Sequence, residues 1–189
     1  MPRVSCWLCF KPVVACICNL VAPVANRTAV TILQHRRERF HPVGTSRIAR
    51  LGLKRVRVEP CWPRSDLASL VARLPQRAAL LYPSAGARDL STLTPEEHPR
   101  HLIVLDGTWP QAKKIYNGQP WLQAMPHLRL RPKRMSGYGD VRRQPRQGCL
   151  ATIEAIVEAL RLLEPETRGF DGLLGVFASM VERQASFAV

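Results

Sequence analysis

Asp106-Gly107-Thr108-Trp109 places a carboxylate, a hydroxyl and an indole side by side, directly after the apolar run Leu102-Ile103-Val104-Leu105. The run reads as a buried strand, so the tetrapeptide falls where a strand ends and a helix begins. In open α/β sheets, ligands bind beyond the carboxyl ends of strands. There Asp106 can serve as a base, or fix the orientation of one, and Thr108 can orient it or bond a ligand. Trp109 can stack on a planar ring or face a cation. The same residues also suit a helix cap and a core Trp, so the reading needs support from the rest of the chain.

Cys6, Cys9, Cys16 and Cys18 give a second candidate centre with the spacing C-x2-C-x6-C-x-C. Four thiolates in so short a segment can surround one ion tetrahedrally, and zinc favours that sulfur-only shell at structural sites. Disulfides and a redox or iron–sulfur centre compete with zinc. The apolar stretch from Val13 to Val24 has some character of a signal peptide. Two cysteines precede it, however, and Pro12, Asn19 and Pro23 interrupt it. The expectation is therefore a cytoplasmic chain with reduced thiols, no membrane span and a zinc knuckle over residues 1–20. Cys61 and Cys149 are read as plain buried thiols.

The 189 residues suit one domain with a small appendage, and 46% apolar content is ordinary for a globular protein. The formal net charge of +14 is not ordinary. A potential of that sign draws polyanions, and guanidinium forks suit phosphate oxygens. The cations cluster. Arg36, Arg37, Arg39, Arg47, Arg50, Lys54, Arg55 and Arg57 are opposed mainly by Glu38. Arg129, Arg131, Lys133, Arg134, Arg142, Arg143 and Arg146 are opposed by Asp140 alone. Pro132, Gly137, Gly139 and Pro145 make the second stretch a loop, a plausible surface for a nucleic-acid backbone.

The elements that must position these groups alternate. Thr28–Leu33, Arg55–Glu59, Ala78–Tyr82, Leu102–Leu105 and Leu128–Leu130 read as strands. Thr45 opens a helix to about Leu53, Ser65 caps another through Leu74, and a third runs from about Pro110 to Tyr116. Leu150, Ile153, Ile156, Val157, Leu160 and Leu163 recur at helical spacing, as do Phe170, Leu173, Leu174, Phe177 and Val181. The pattern implies an α/β fold, a mostly parallel sheet with helices on both faces.

Gln34-His35-Arg36-Arg37-Glu38, Thr45, Tyr82-Pro83-Ser84, Asp106-Gly107-Thr108-Trp109 and Thr152-Ile153-Glu154-Ala155 follow the cysteines in order. Together these motifs resemble the DTW-domain family of tRNA-uridine aminocarboxypropyltransferases, over about residues 6 to 160. The resemblance implies a SPOUT-like, knotted fold, with residues 21–189 as the catalytic domain. It implies transfer of the 3-amino-3-carboxypropyl group of S-adenosylmethionine to a uridine ring nitrogen in tRNA, with release of methylthioadenosine. Asp106, Thr108 and Trp109 are then the catalytic candidates. Tyr82, Pro83, Ser84, Leu105, Gly107, Leu150, Thr152 and Glu154 would line the cofactor site. His35, Arg36, Arg37, Glu38, Thr45, Arg134, Tyr138, Arg142 and Arg143 would face RNA, with Tyr138, Arg142 and Arg143 also suited to the cofactor's carboxylate. Thr152 suits a helix cap or a cofactor contact, and Glu154 suits ordering of the basic loop. Two positions depart from the family pattern: Gly44 stands where Asn is usual and Ala151 where Ser is usual. A SPOUT-like RNA methyltransferase and a non-catalytic, zinc-containing RNA-binding protein stay open as alternatives, and so does the oligomeric state.

Overall fold

The computed structural model describes residues 4–132, 134–142 and 148–186. Its centre is a six-stranded sheet of β1 (Ala29–His35), β2 (Val56–Cys61), β3 (Ala78–Leu81), β4 (Arg88–Asp89), β5 (His101–Asp106) and β6 (His127–Arg129). The strand order is β2-β1-β5-β3-β6-β4, and every pairing is parallel. Parallel neighbours require crossovers, and the helices supply most of them.

Side chains alternate across the strands and divide the core in two. Val30, Ile32, Ala79, Leu102 and Val104 point to one face. They meet α1 (Ser46–Gly52), α5 (Thr152–Leu163) and α6 (Phe170–Ser186) there. Leu33, Leu80 and Ile103 point to the other face. There they meet α2 (Ala68–Val71), α3 (Trp109–Gly118) and α4 (Pro120–Ala124) through Leu70, Ile115 and Leu122. Helices thus cover both faces, as the central strands' unbroken apolar runs require.

The α5 stripe of Ile153, Ile156, Val157 and Leu160 is fully buried between the sheet and α6. Each such side chain contributes roughly 1.5–3 kcal/mol by leaving water. The cysteine segment joins the same cluster, with Cys9 and Ile17 fully buried in it. Arg183 of α6 donates to Cys16 O at 2.7 Å and ties that segment down.

The expected strands and the long helices occur with small shifts at their ends. One cap is different. Ser65 does not open a helix: its hydroxyl accepts from the Trp62 amide at 2.9 Å and closes a turn. The α2 helix is consequently a single turn, with Asp66 accepting from the Ala68 amide at 3.0 Å. The β4 strand and α4 carry too few residues for a periodic signal. No helix among the described residues is long and apolar enough to cross a membrane.

Candidate active site

The β1 and β5 strands lie in register with Gln34 opposite Asp106. Both residues share the parity of Ile32 and Val104, so both side chains emerge on the α1/α5 face. Gln34 Nε2 donates to Asp106 Oδ2 at 2.8 Å and also to the Ser46 hydroxyl at the start of α1. Thr152 Oγ1, at the start of α5, donates to Asp106 Oδ1 at 2.6 Å. Asp106 is 4% exposed. The carboxylate therefore joins two strands and two helix N-termini, while each oxygen keeps a further acceptor site.

Two cavities meet at this edge of the sheet. The larger, about 390 Å³, is lined by Tyr82, Pro83, Leu105, Gly107, Trp109, Arg129, Leu150 and Thr152, among others. The smaller, about 290 Å³, is lined by Asp106, Thr108, Trp109, Tyr138, Arg142 and Leu150, among others. Gly107, Trp109, Leu150 and Thr152 wall both. Trp109 is accordingly not a core residue. Half-buried at the first turn of α3, it forms the partition. Tyr82 lies beside it at 6.5 Å between ring centroids, and Tyr116 stacks on Tyr82 at 4.6 Å. Gly107 is closely packed: a Cβ there would lie 3.0 Å from Gln111 Cβ and 3.4 Å from His35 Cβ.

Other candidates build the site's frame. Thr108 is the N-cap of α3: its hydroxyl accepts from the Gln111 amide at 3.4 Å, while Gln111 Oε1 accepts from the Thr108 amide at 2.7 Å. Glu154, assigned to the cofactor, lines neither cavity. Its carboxylate accepts from the amides of Gly137 at 2.9 Å and Ala151 at 2.8 Å, which orders the basic loop and offsets its like-charge spacing to Glu158. Ser84 also lies outside both cavity walls. It shares a 2.6 Å hydrogen bond with His127 Nδ1, whose Nε2 lies 2.7 Å from Leu122 O.

Three residues expected to face RNA are buried and bonded within the fold, Tyr138 while also lining the smaller cavity. Thr45, Glu38 and Tyr138 are 1%, 4% and 6% exposed. Thr45 Oγ1 accepts from the Ile153 amide at 3.3 Å, in the first turn of α5. This acceptor serves the helix start where Ala151 occupies the cap position and has no side-chain oxygen. Thr152 is not the cap either, because its hydroxyl is spent on Asp106. Tyr138 donates to Val43 O at 2.9 Å, and burial pushes its phenol up. Glu38 accepts from the Arg142 guanidinium at 3.3 Å, joining the loop after β1 to the basic loop. Burial opposes the Arg142 charge, but Tyr138 and Glu38 outweigh it and raise the guanidinium's affinity for its proton.

Arg36, Arg37 and Arg134 are exposed and His35 is half-buried, with burial and then Arg37 holding its imidazole below the ordinary range. Arg143, like Lys133 and Arg146, lies outside the described residues. At Gly44 a Cβ would lie 3.3 Å from both Glu38 O and His41 O, so the turn leaves little room for a larger residue.

Sequence reasoning gave Arg129 no role at this site. It lines the larger cavity, and its buried Nε has no hydrogen-bond partner among the described residues. The available signal was a charge held between Leu128 and Leu130 in an interior strand.

At the chain's other end, the sulfurs of Cys6, Cys9, Cys16 and Cys18 all lie within 4.8 Å of one another, and the cluster could hold a metal ion. The Cys9 and Leu8 amides pull the Cys6 thiol down to about 6, whereas burial and the neighbouring thiols push Cys18 up.

These features define an α/β protein with a parallel sheet, two adjoining cavities at its carboxyl edge, one of them lined by Asp106, and a cluster of four cysteines. Comparison with known proteins narrows it. The DTW domain family matches residues 3–185, and the chain belongs to that family. It is similar to tRNA-uridine aminocarboxypropyltransferase 2 of Drosophila melanogaster, 35% identical over 178 residues that cover 88% of this chain and 70% of the relative. Proteins of the same name from Mus musculus and Macaca fascicularis are each 29% identical, covering 86% of this chain and 57% of the relative. The chain thus spans little more than half the length of those two. No solved structure matches it.

Proposed function

We propose that this protein transfers the 3-amino-3-carboxypropyl group of S-adenosylmethionine to a ring nitrogen of a tRNA uridine, with methylthioadenosine as the second product. The observation that carries the reading is the pair of cavities sharing the Trp109 wall, with Asp106 lining the smaller and bonded to Thr152, which walls both. A two-substrate transfer needs adjoining pockets and a shared reaction zone. The names of the relatives support the choice of donor and acceptor.

The larger cavity suits the cofactor. Its apolar walls and the Tyr82–Trp109 edge fit an adenosine, and the partnerless Arg129 Nε fits the methionine carboxylate through the Nε/Nη edge. When bound, S-adenosylmethionine supplies an activated carbon next to a sulfonium, so that an N–C bond can form while the C–S bond breaks and its electron pair stays on sulfur. The protein's part is alignment and proton removal. Asp106 is the sole carboxylate among the described residues lining either cavity. It is positioned to take the imide proton of a uracil in the smaller cavity as the N–C bond forms. Thr152 and Gln34 hold that carboxylate in one orientation, and Trp109 walls both cavities beside it.

We further assign zinc to the four cysteine sulfurs, since an all-thiol set at this separation matches its preferred shell. In this reading residues 1–20 are a structural knuckle and 21–189 a catalytic domain of SPOUT-like, knotted type, working in the cytoplasm. The basic surface around Arg36, Arg37 and Arg134 would meet tRNA phosphates.

The test is mass spectrometry after incubating purified protein with S-adenosylmethionine and unmodified tRNA. The expected result is one added aminocarboxypropyl group on a uridine and an equivalent amount of methylthioadenosine. Addition of a methyl group with S-adenosylhomocysteine would replace this reading by a methyltransferase. RNA binding without turnover would replace it by a binding protein.

A further inference from the structure

A third cavity, about 340 Å³, opens on the same carboxyl edge of the sheet but over β1 and β2, between the cysteine knuckle and α1. Phe10, Arg39, Arg47 and Arg50 line it, with Gln34 at its inner wall, and no carboxylate among the described residues takes part. Gln34 is the residue that donates to Asp106, so one side chain separates this cavity from the proposed base.

Phe10 carries an unusual backbone. It follows Cys9 with φ 58°, the one non-glycine residue in the left-handed region among those described. Glycine adopts that conformation without penalty, whereas a phenylalanine is strained there. Such strain tends to persist where the side chain has a task. The ring is not used to fill the core. It meets Phe40 edge-to-face at 5.4 Å, and Phe40 is 65% exposed. Guanidinium groups cover both rings: Arg39 stands 5.8 Å from the Phe10 centroid and 5.3 Å from that of Phe40, and Arg50 stands 5.5 Å from Phe10. Arg50 and Arg47 are also anchored on the knuckle, donating to the carbonyls of Leu8 and Cys9. Arg47 and Arg50 are therefore held in place, while the exposed Arg39 lies over the two rings.

We propose that this cavity is a second nucleotide site, which takes an unpaired base of the RNA substrate, away from the uridine that reacts. The occupant follows from the mixture of groups. An acidic peptide would use the guanidinium charges and leave the aromatic rings idle. A nucleotide uses both, its base stacking on Phe10 or an arginine plane and its phosphate on Arg39. Placement on the edge that carries Asp106 lets one RNA segment reach both cavities. The inference rests on the RNA-substrate reading above, and it gives the knuckle a role in recognition as well as in folding.

The variants Phe10→Gly, Phe40→Ala and Arg39→Ala test it. Affinity for tRNA is measured by fluorescence anisotropy across a salt series, affinity for S-adenosylmethionine by calorimetry, and stability by thermal melting. Phe10→Gly is expected to melt no lower than the parent, because the backbone strain is relieved, yet to bind tRNA about tenfold more weakly, in the range for loss of one stacked base. Phe40→Ala should weaken tRNA in the same direction. Arg39→Ala should reduce the slope of log affinity against log salt by about one. S-adenosylmethionine affinity should hold at the parent value in all three. If the parent transfers to tRNA and all three variants bind it with the parent's affinity and salt slope, the second site does not exist. If the parent neither binds nor modifies tRNA, the functional reading itself fails, and this inference with it.

Discussion

Arg129→Met removes a half-buried guanidinium whose Nε is buried, while keeping a long apolar stem on β6. Arg129 Nε is a buried donor with no partner among the described residues. Leaving such a group unsatisfied costs about 1–3 kcal/mol. The variant should therefore be more stable than the parent, and at roughly 2–4 °C per kcal/mol for a chain of this size the melting temperature should rise by a few degrees. The cofactor should respond in the opposite direction. A charge-assisted hydrogen bond contributes about 1.5–3 kcal/mol, so affinity for S-adenosylmethionine should fall by roughly 10- to 150-fold. Methylthioadenosine has the same adenosine and sulfur but lacks the carboxylate, and its affinity should be unchanged. Isothermal titration with both ligands and thermal melting without ligand complete the assay. The reasoning is refuted if both ligands weaken together, or if their ratio is unchanged and the melting temperature drops. Arg129 would in that event shape the adenosine pocket or hold the strand rather than meet a carboxylate.

Asp106→Asn retains the shape of the side chain but not its basicity, and it should lower kcat by about 10²- to 10⁴-fold with little change in S-adenosylmethionine affinity. Full turnover in single-turnover assays would exclude Asp106 as the proton acceptor. Removal of the proposed zinc by a chelator should lower the melting temperature cooperatively, because Cys9 and Ile17 belong to the main core and not to a separate unit. A separate low-temperature transition, with the main one unmoved, would show the knuckle to be independent. A third expectation concerns acid. Burial, followed by the Arg55 charge, lowers the His101 imidazole from 6.5, and Thr31 Oγ1 bonds its Nε2 at 2.8 Å. The folded state then binds protons less readily than the unfolded one, so His101 favours folding fully above pH about 6.5 and progressively less below it. His35 and His41 are lowered mainly by burial too and act in the same direction. Melting temperatures should decline from pH 6.5 downward, and His101→Gln should flatten that decline. A flat parent curve between pH 5 and 7 would contradict it.

Local signals made some parts of this molecule legible in the sequence and left others hidden. The β5 run, the α5 and α6 stripes and the cysteine spacing each report on a few neighbouring residues, and their structures follow. So does the place of Asp106, because a strand followed by a helix start fixes which end of the sheet it occupies. Contacts between distant segments left no such trace. Thr45 reads as the opening of its own helix, yet it makes no side-chain cap there and instead serves the start of α5, more than a hundred residues later. Glu38 and Tyr138 read as residues that face RNA or the site; the structure adds that both are buried, because Arg142 and Val43 O come to them from across the fold. These residues are polar groups whose partners lie far along the chain, which is the information that spacing cannot carry. Their burial also explains the departure at Ala151. The serine oxygen that the family pattern expects there is not needed to start α5 when Thr45 Oγ1 and Glu154 already engage that helix's first amides. The substitution therefore leaves the Asp106–Thr152 hydrogen bond, and with it the proposed catalytic geometry, in place.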